Sequence, residues 1–107
     1  MPIDIKDTDF ESLVIKESNN KPVLVDFWAP WCAPCKILAP ILEEVSKDLG
    51  DTAVILKINV DENPEIAGRL AIRSIPTMII FRNGEKVDQS IGVLTREALS
   101  DLIKKYI

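Results

Sequence analysis

Two cysteines, Cys32 and Cys35, stand three positions apart in Trp28-Ala29-Pro30-Trp31-Cys32-Ala33-Pro34-Cys35-Lys36, a stretch that also holds both tryptophans and two of the seven prolines. Thiols at that spacing, at the opening of a helix, can close a small ring or face a substrate. With no histidine in the chain, thiol–disulfide exchange is the leading chemistry. A pair of ordinary buried cysteines is the plain alternative. A metal site needs roughly four ligands, and two cysteines supply only half of them unless chains pair. Exchange needs a thiolate, which the positive end and free N–H groups of a helix N-terminus stabilise. Pro34 suits a first helical turn, so Cys32 falls near the N-cap and Cys35 within that turn. On this reading the Cys32 sulfur is the exposed nucleophile and Cys35, one turn inside, resolves the mixed disulfide.

The elements that must hold these thiols are legible around them. Behind the cysteines, Leu38, Leu42, Val45 and Leu49 recur at helical spacing and Gly50 suits the end of the helix. Pro40 interrupts it, either turning the first turn relative to the packing portion or simply curving the helix. Before the cysteines, Pro22 opens Val23 to Ala29, a nearly unbroken apolar run of the kind buried on both faces of a sheet. Asp26 is out of place there. Its desolvation should raise its pKa, unless it is satisfied by a partner or lies near the wet end of the strand. A second run, Ala53 to Val60, carries Lys57 in the same odd way. If the two strands neighbour one another, Asp26 and Lys57 can approach beneath the cysteines; otherwise Lys57 snorkels to the surface.

The remaining segments complete an α/β pattern with a mixed sheet. Ile3 to Ile5 is a short apolar run, and Thr8 with Glu11 reads as a capping box for a helix that buries Phe10, Leu13 and Val14. Asn63 caps and Pro64 starts a short helix carrying Ile66, Ala67 and Leu70. Thr77 to Phe81 reads as a strand and Asn83-Gly84 as a hairpin turn; the strand after it alternates Lys86, Asp88 and Ser90 with Val87, Gln89 and Ile91. A last helix from near Thr95 should bury Ala98, Leu99, Leu102, Ile103 and Tyr106, with Lys104 and Lys105 at the negative end of its dipole. The strands at Val23 and Ala53 should be parallel, those at Thr77 and Lys86 antiparallel.

A length of 107 residues, 47% hydrophobic and 28% charged, suits one domain, 1–107. Thirteen basic and seventeen acidic side chains give a net charge of −4 without a basic stripe, which disfavours nucleic acid or an anionic membrane as partner. Met1 to Ile5 lacks the features of a secretory signal and no stretch approaches the ~20 apolar residues of a membrane helix, so a cytoplasmic chain is expected, or a mature organellar one. A monomer is the default.

The stretch Trp28 to Lys36 closely resembles the thioredoxin-family signature. The likeness extends to Asp26, Val60 to Glu65, Ile72 to Thr77, Asn83-Gly84 and Ile91-Gly92. It implies a thioredoxin fold, a mixed sheet of four to five strands flanked by about four helices, with a cis Ile75–Pro76 bond against the disulfide. It also implies protein disulfide reductase activity through a reversible Cys32–Cys35 disulfide, with no cofactor and no metal, and recycling by a flavoprotein thioredoxin reductase. Asp26 would accept the Cys35 proton, with Lys57 tuning it, and Ala33, Pro34 and Pro76 would tune the redox poise. Trp28, Trp31, Val60, Ile75, Pro76, Gly92 and Val93 would form an apolar rim for client proteins, whose extended segments would pair with backbone groups at Ile75 and Gly92. Core packing is the alternative role for Trp28, Val60 and Ile75. Ala33 stands where the family commonly has glycine, as does Ser74, and Val93 replaces a common alanine. The same fold serves oxidases and isomerases, or redox-inert interaction modules. The absence of histidine between the cysteines and the retention of Pro34 favour the reductant.

Overall fold

Apolar runs of six residues form the middle of a five-stranded sheet. A computed structural model describes residues 1–107, with strands β1 (Ile3–Asp4), β2 (Val23–Trp28), β3 (Val54–Asn59), β4 (Thr77–Arg82) and β5 (Glu85–Ile91), and helices α1 (Ala33–Leu49), α2 (Pro64–Arg69) and α3 (Arg96–Lys104). Spatial order is β1-β3-β2-β4-β5. The β1–β3 and β3–β2 pairs are parallel, and β2–β4 and β4–β5 antiparallel, as the alternation of elements requires. No helix is long and apolar enough to cross a membrane.

Because side chains alternate along a strand, the two faces of β2 feed two cores. Val23, Val25 and Phe27 join Leu56, Ile58, Ile79 and Phe81 under Phe10, Val14 and Ile66. Leu24 joins Ile55, Met78 and Ile80 under Leu38, Leu42 and Val45 of α1 and Leu99 and Ile103 of α3. The expected α1 stripe is buried throughout, with Cys35 at its head. Asn83 and Gly84 take φ of 55° and 81°, the paired positive values of a two-residue hairpin turn.

Five expectations need correction. The N-terminal helical segment is not a regular α-helix but a 3-10 turn at Asp7–Asp9, a π-wound stretch at Glu11–Lys16 and a 3-10 turn at Glu17–Asn19. The wider winding keeps Phe10 and Val14 inward but rotates Leu13 out to solvent. Its cap is not the Thr8 and Glu11 box; the Asp9 carboxylate accepts from the Lys6 N–H at 3.0 Å. The Asn63 side chain likewise does not cap α2. Asp7 does, accepting from the N–H groups of Glu65 at 3.0 Å and Ile66 at 3.1 Å, while Asn63 Oδ1 accepts from the Asp7 N–H. A register shift at Ile80/Phe81 leaves Val87 without an opposite residue; β5 turns Asp88 and Ser90 partly inward and leaves Val87 and Ile91 exposed. On α3, Thr95 caps through its hydroxyl oxygen and Leu99 and Ile103 are fully buried, but Ala98 is exposed and Leu102 and Tyr106 only half-buried.

Candidate active site

The two thiols are joined as a disulfide at the junction of β2 and α1, with Cα atoms 5.3 Å apart. Cys32 is the N-cap of α1, in extended backbone, and its sulfur accepts from the Cys35 N–H at 3.2 Å. Pro34 sits in the first turn, where its missing N–H is no loss. A free helix-end donor is therefore already aimed at the atom that must become a thiolate. The expectation of an exposed Cys32 sulfur is corrected: Cys32 is only 3% exposed and Cys35 4%. Ala29 is buried with the pair, and Trp28, Val60 and Ile75 pack around it, so the N-cap position, not exposure, distinguishes the two sulfurs in the disulfide form.

Ile75–Pro76 is cis, and the Ile75 carbonyl oxygen lies 3.8 Å from Cys32 Sγ. Trp31 stands out at 68% exposed, its indole N–H donated to Asp61 at 2.9 Å. Asp61 is held by Asn59, which accepts from its N–H at 3.0 Å. Trp31, Val60, Ala67, Ile72, Arg73 and Ile75 line an open cleft of about 210 Å³ beside the disulfide. Val93 is exposed and Gly92 half-buried on the following loop. Gly92 takes φ 90°, a region that L side chains rarely adopt. Its N–H is donated to the Pro76 carbonyl at 2.9 Å, so that donor is already occupied rather than free to pair with an incoming segment. Trp28 is half-buried against the disulfide and turns its indole N–H to Asp4 at 2.9 Å. Asp61, Ile72, Arg73 and Asp4 were not among the expected site residues; Asp61, inside Val60 to Glu65, and Ile72 and Arg73, inside Ile72 to Thr77, lie in the segments of family likeness, whereas Asp4 carried no signal.

Asp26 and Lys57 are register partners on β2 and β3. Asp26 is buried and its Oδ1 has no hydrogen-bond partner. Desolvation, partly offset by the positive charge of Lys57, pushes its pKa from 3.8 up to about 7. Lys57 does not close an ion pair. Its ammonium stands 4.7 Å over the Trp28 ring, a geometry that a cation favours over an aromatic face. On β2, Asp26 lies between Leu24, in the core beneath α1, and Trp28, against the cysteines. The carboxyl and Cys35 thus share one layer between sheet and helix. No cluster of three or more His, Cys, Asp or Glu side chains could hold a metal ion.

Such an arrangement can carry thiol–disulfide exchange with a proton acceptor poised near neutrality. Comparison with known proteins gives the family and the exchange chemistry. The Thioredoxin family model matches residues 2–105. A thioredoxin of Rickettsia bellii (strain RML369-C) is 48% identical over 107 residues, covering the whole of both chains. One of Pyropia yezoensis is 46% identical over 103 residues, 96% of this chain and 94% of that protein. One of Bacillus subtilis (strain 168) is 48% identical over 91 residues, 85% of this chain and 88% of that protein. With its fold, its disulfide at the head of α1 and its relatives in agreement, the chain belongs to the thioredoxin family, oxidoreductases that exchange dithiol for disulfide and use a redox-active cysteine pair in place of a cofactor.

Proposed function

We propose that this chain is a cytosolic, monomeric reductant of protein disulfides, recycled by a thioredoxin reductase. The observation that carries the reading is the Cys32 sulfur at the N-cap of α1 with the Cys35 N–H directed at it. Cys32 attacks as thiolate, forms a mixed disulfide with the client and releases the first client thiolate. Cys35 then attacks the Cys32 sulfur, re-forms the Cys32–Cys35 disulfide and expels the second client thiolate, so that two electrons pass to the client. Asp26, with a pKa of about 7, takes the proton that Cys35 must lose, and Lys57 moderates that affinity. Trp31, Val60, Ile75 and the cleft beside them receive the apolar part of the client, with Trp28, Pro76, Gly92 and Val93 completing the rim. Ala33, Pro34 and Pro76 adjust the poise of the pair.

The deciding measurement is the reduction potential of the pair against a glutathione buffer, with Cys32→Ser as the inactive control. Reference values are about −270 mV for thioredoxin itself and about −120 mV for an oxidase of the same superfamily. A value near the first supports a reductant and makes Ala33 a small adjustment. One well above about −200 mV overturns that direction and makes the chain an oxidase or isomerase, and full biological activity without either thiol makes it a redox-inert module.

A further inference from the structure

We infer that Asp4 is a positioning residue for the Asp26 proton site: it anchors the Trp28 indole and, through that ring, the Lys57 ammonium, so that the lysine between the two carboxylates closes an ion pair with neither. The inference deepens the reading of Asp26 as proton acceptor and rests on that reading for its catalytic consequence.

Three strands supply the geometry. Asp4 of β1 is the register partner of Lys57 on β3, and Lys57 is the register partner of Asp26 on β2. Register partners in parallel strands project from one face, so the sheet carries a row of negative, positive and negative side chains, with Asp4 about 10 Å from Asp26 across two strand spacings. Trp28 lies two residues beyond Asp26 and shares that face. Its Nε1–H is donated to Asp4 Oδ1 at 2.9 Å, and its ring carries Lys57 Nζ at 4.7 Å. A carboxylate accepting from the indole N–H makes a charge-assisted bond that fixes the ring. The fixed ring in turn gives the ammonium a resting place other than Asp26, whose Oδ1 stays unpartnered. Asp4 also repels the charged form of Asp26 directly, and its negative charge adds to the upward push of burial.

Few charges compete in this layer. Lys57 comes from β3 and Asp4 from β1, while β4 places uncharged Met78 opposite Asp26. Helix α1 contributes the cysteines, which hold no proton while joined. Asp4 itself is exposed at a cleft of about 500 Å³ that also bears Lys6 and Glu62, so its influence is screened by salt.

The test is a carbon-13 NMR titration of the Asp26 carboxyl in the oxidised protein, run beside the pH profile of client reduction. Removing the negative charge must lower the midpoint, because a like charge disfavours ionisation. Asp4→Asn should lower it by about half a pH unit. Asp4→Ala, which also releases the indole and lets Lys57 approach, should lower it further, and Asp4→Glu should leave it near the parent value. An unchanged or raised midpoint in Asp4→Asn, a fall in Asp4→Ala no larger than in Asp4→Asn, or an equal fall in Asp4→Glu overturns the inference. A midpoint that falls as expected while the pH profile of client reduction stays fixed supports the positioning role of Asp4 and overturns Asp26 as acceptor.

Discussion

Val23, Val25 and Phe27 point to one face of the sheet, and Leu24, Asp26 and Trp28 point to the other. The first face is apolar along its whole length and is covered by the N-terminal segment and α2. The second is equally apolar at its Leu24 end, under α1 and α3, but turns charged toward the cysteines, where Asp4, Lys57 and Asp26 stand in one row. One face thus adds stability alone, whereas the other gives up some of it to keep a carboxyl poised near neutral pH. Substitutions on the two faces should therefore separate stability from redox chemistry.

The largest contrast comes at the head of the second face. Cys32→Ser should reduce client disulfides no faster than the uncatalysed background, and Cys35→Ser should accumulate the mixed disulfide, detectable as a covalent adduct by mass spectrometry; turnover in either variant would break the assignment of the two sulfurs. Next is Asp26. Its folded pKa is raised to about 7 from 3.8, so the folded chain holds the proton more tightly than the unfolded one. The Asp26 contribution to stability is then fully present below about pH 3.8 and is lost as pH rises through 7, by about 4 kcal/mol. Urea unfolding of the oxidised protein at acid and alkaline pH should show this decline in the parent chain and lack it in Asp26→Asn; parallel profiles would sink the claim.

On the purely apolar face, Ile79→Ala should cost about 3 kcal/mol of stability by leaving a cavity, with the reduction potential of the pair unchanged. A shift in potential would show that the faces are coupled. The smallest effect is expected at the rim of that face, where Asp7→Ala removes the α2 cap and should cost about 1 kcal/mol. Amide exchange at Glu65 and Ile66 should rise with it, and unaltered protection there would remove Asp7 from that role.

The strands and α1 were legible because their apolar periods and breakers agree: the Val23 and Ala53 runs, the stripe from Leu38 to Leu49 and the turn at Asn83-Gly84 all lie where local pattern put them. The Cys32 N-cap followed from Pro34 alone. Harder to read were features set by residues far apart in the chain. Nothing near Asn63 says that Asp7 will cap α2, and nothing near Ile3 says that Asp4 will meet Trp28. Lys57 is expected either to approach Asp26 or to snorkel to the surface; it stands beside Asp26 in register, yet its ammonium rests over an indole, because β3 carries its backbone past both groups and local pattern cannot choose between them. Leu13 misled for another reason, since helical spacing presumes ordinary winding and the π-wound stretch departs from it.

The bond from Asp7 to α2 has a consequence in time as well as in space. The acceptor precedes its donors by 58 and 59 residues, so during synthesis the cap emerges long before the six-residue helix that needs it. A helix that short is not stable alone. The segment carrying Asp7 is therefore made first, and α2 closes on an anchor laid down before it.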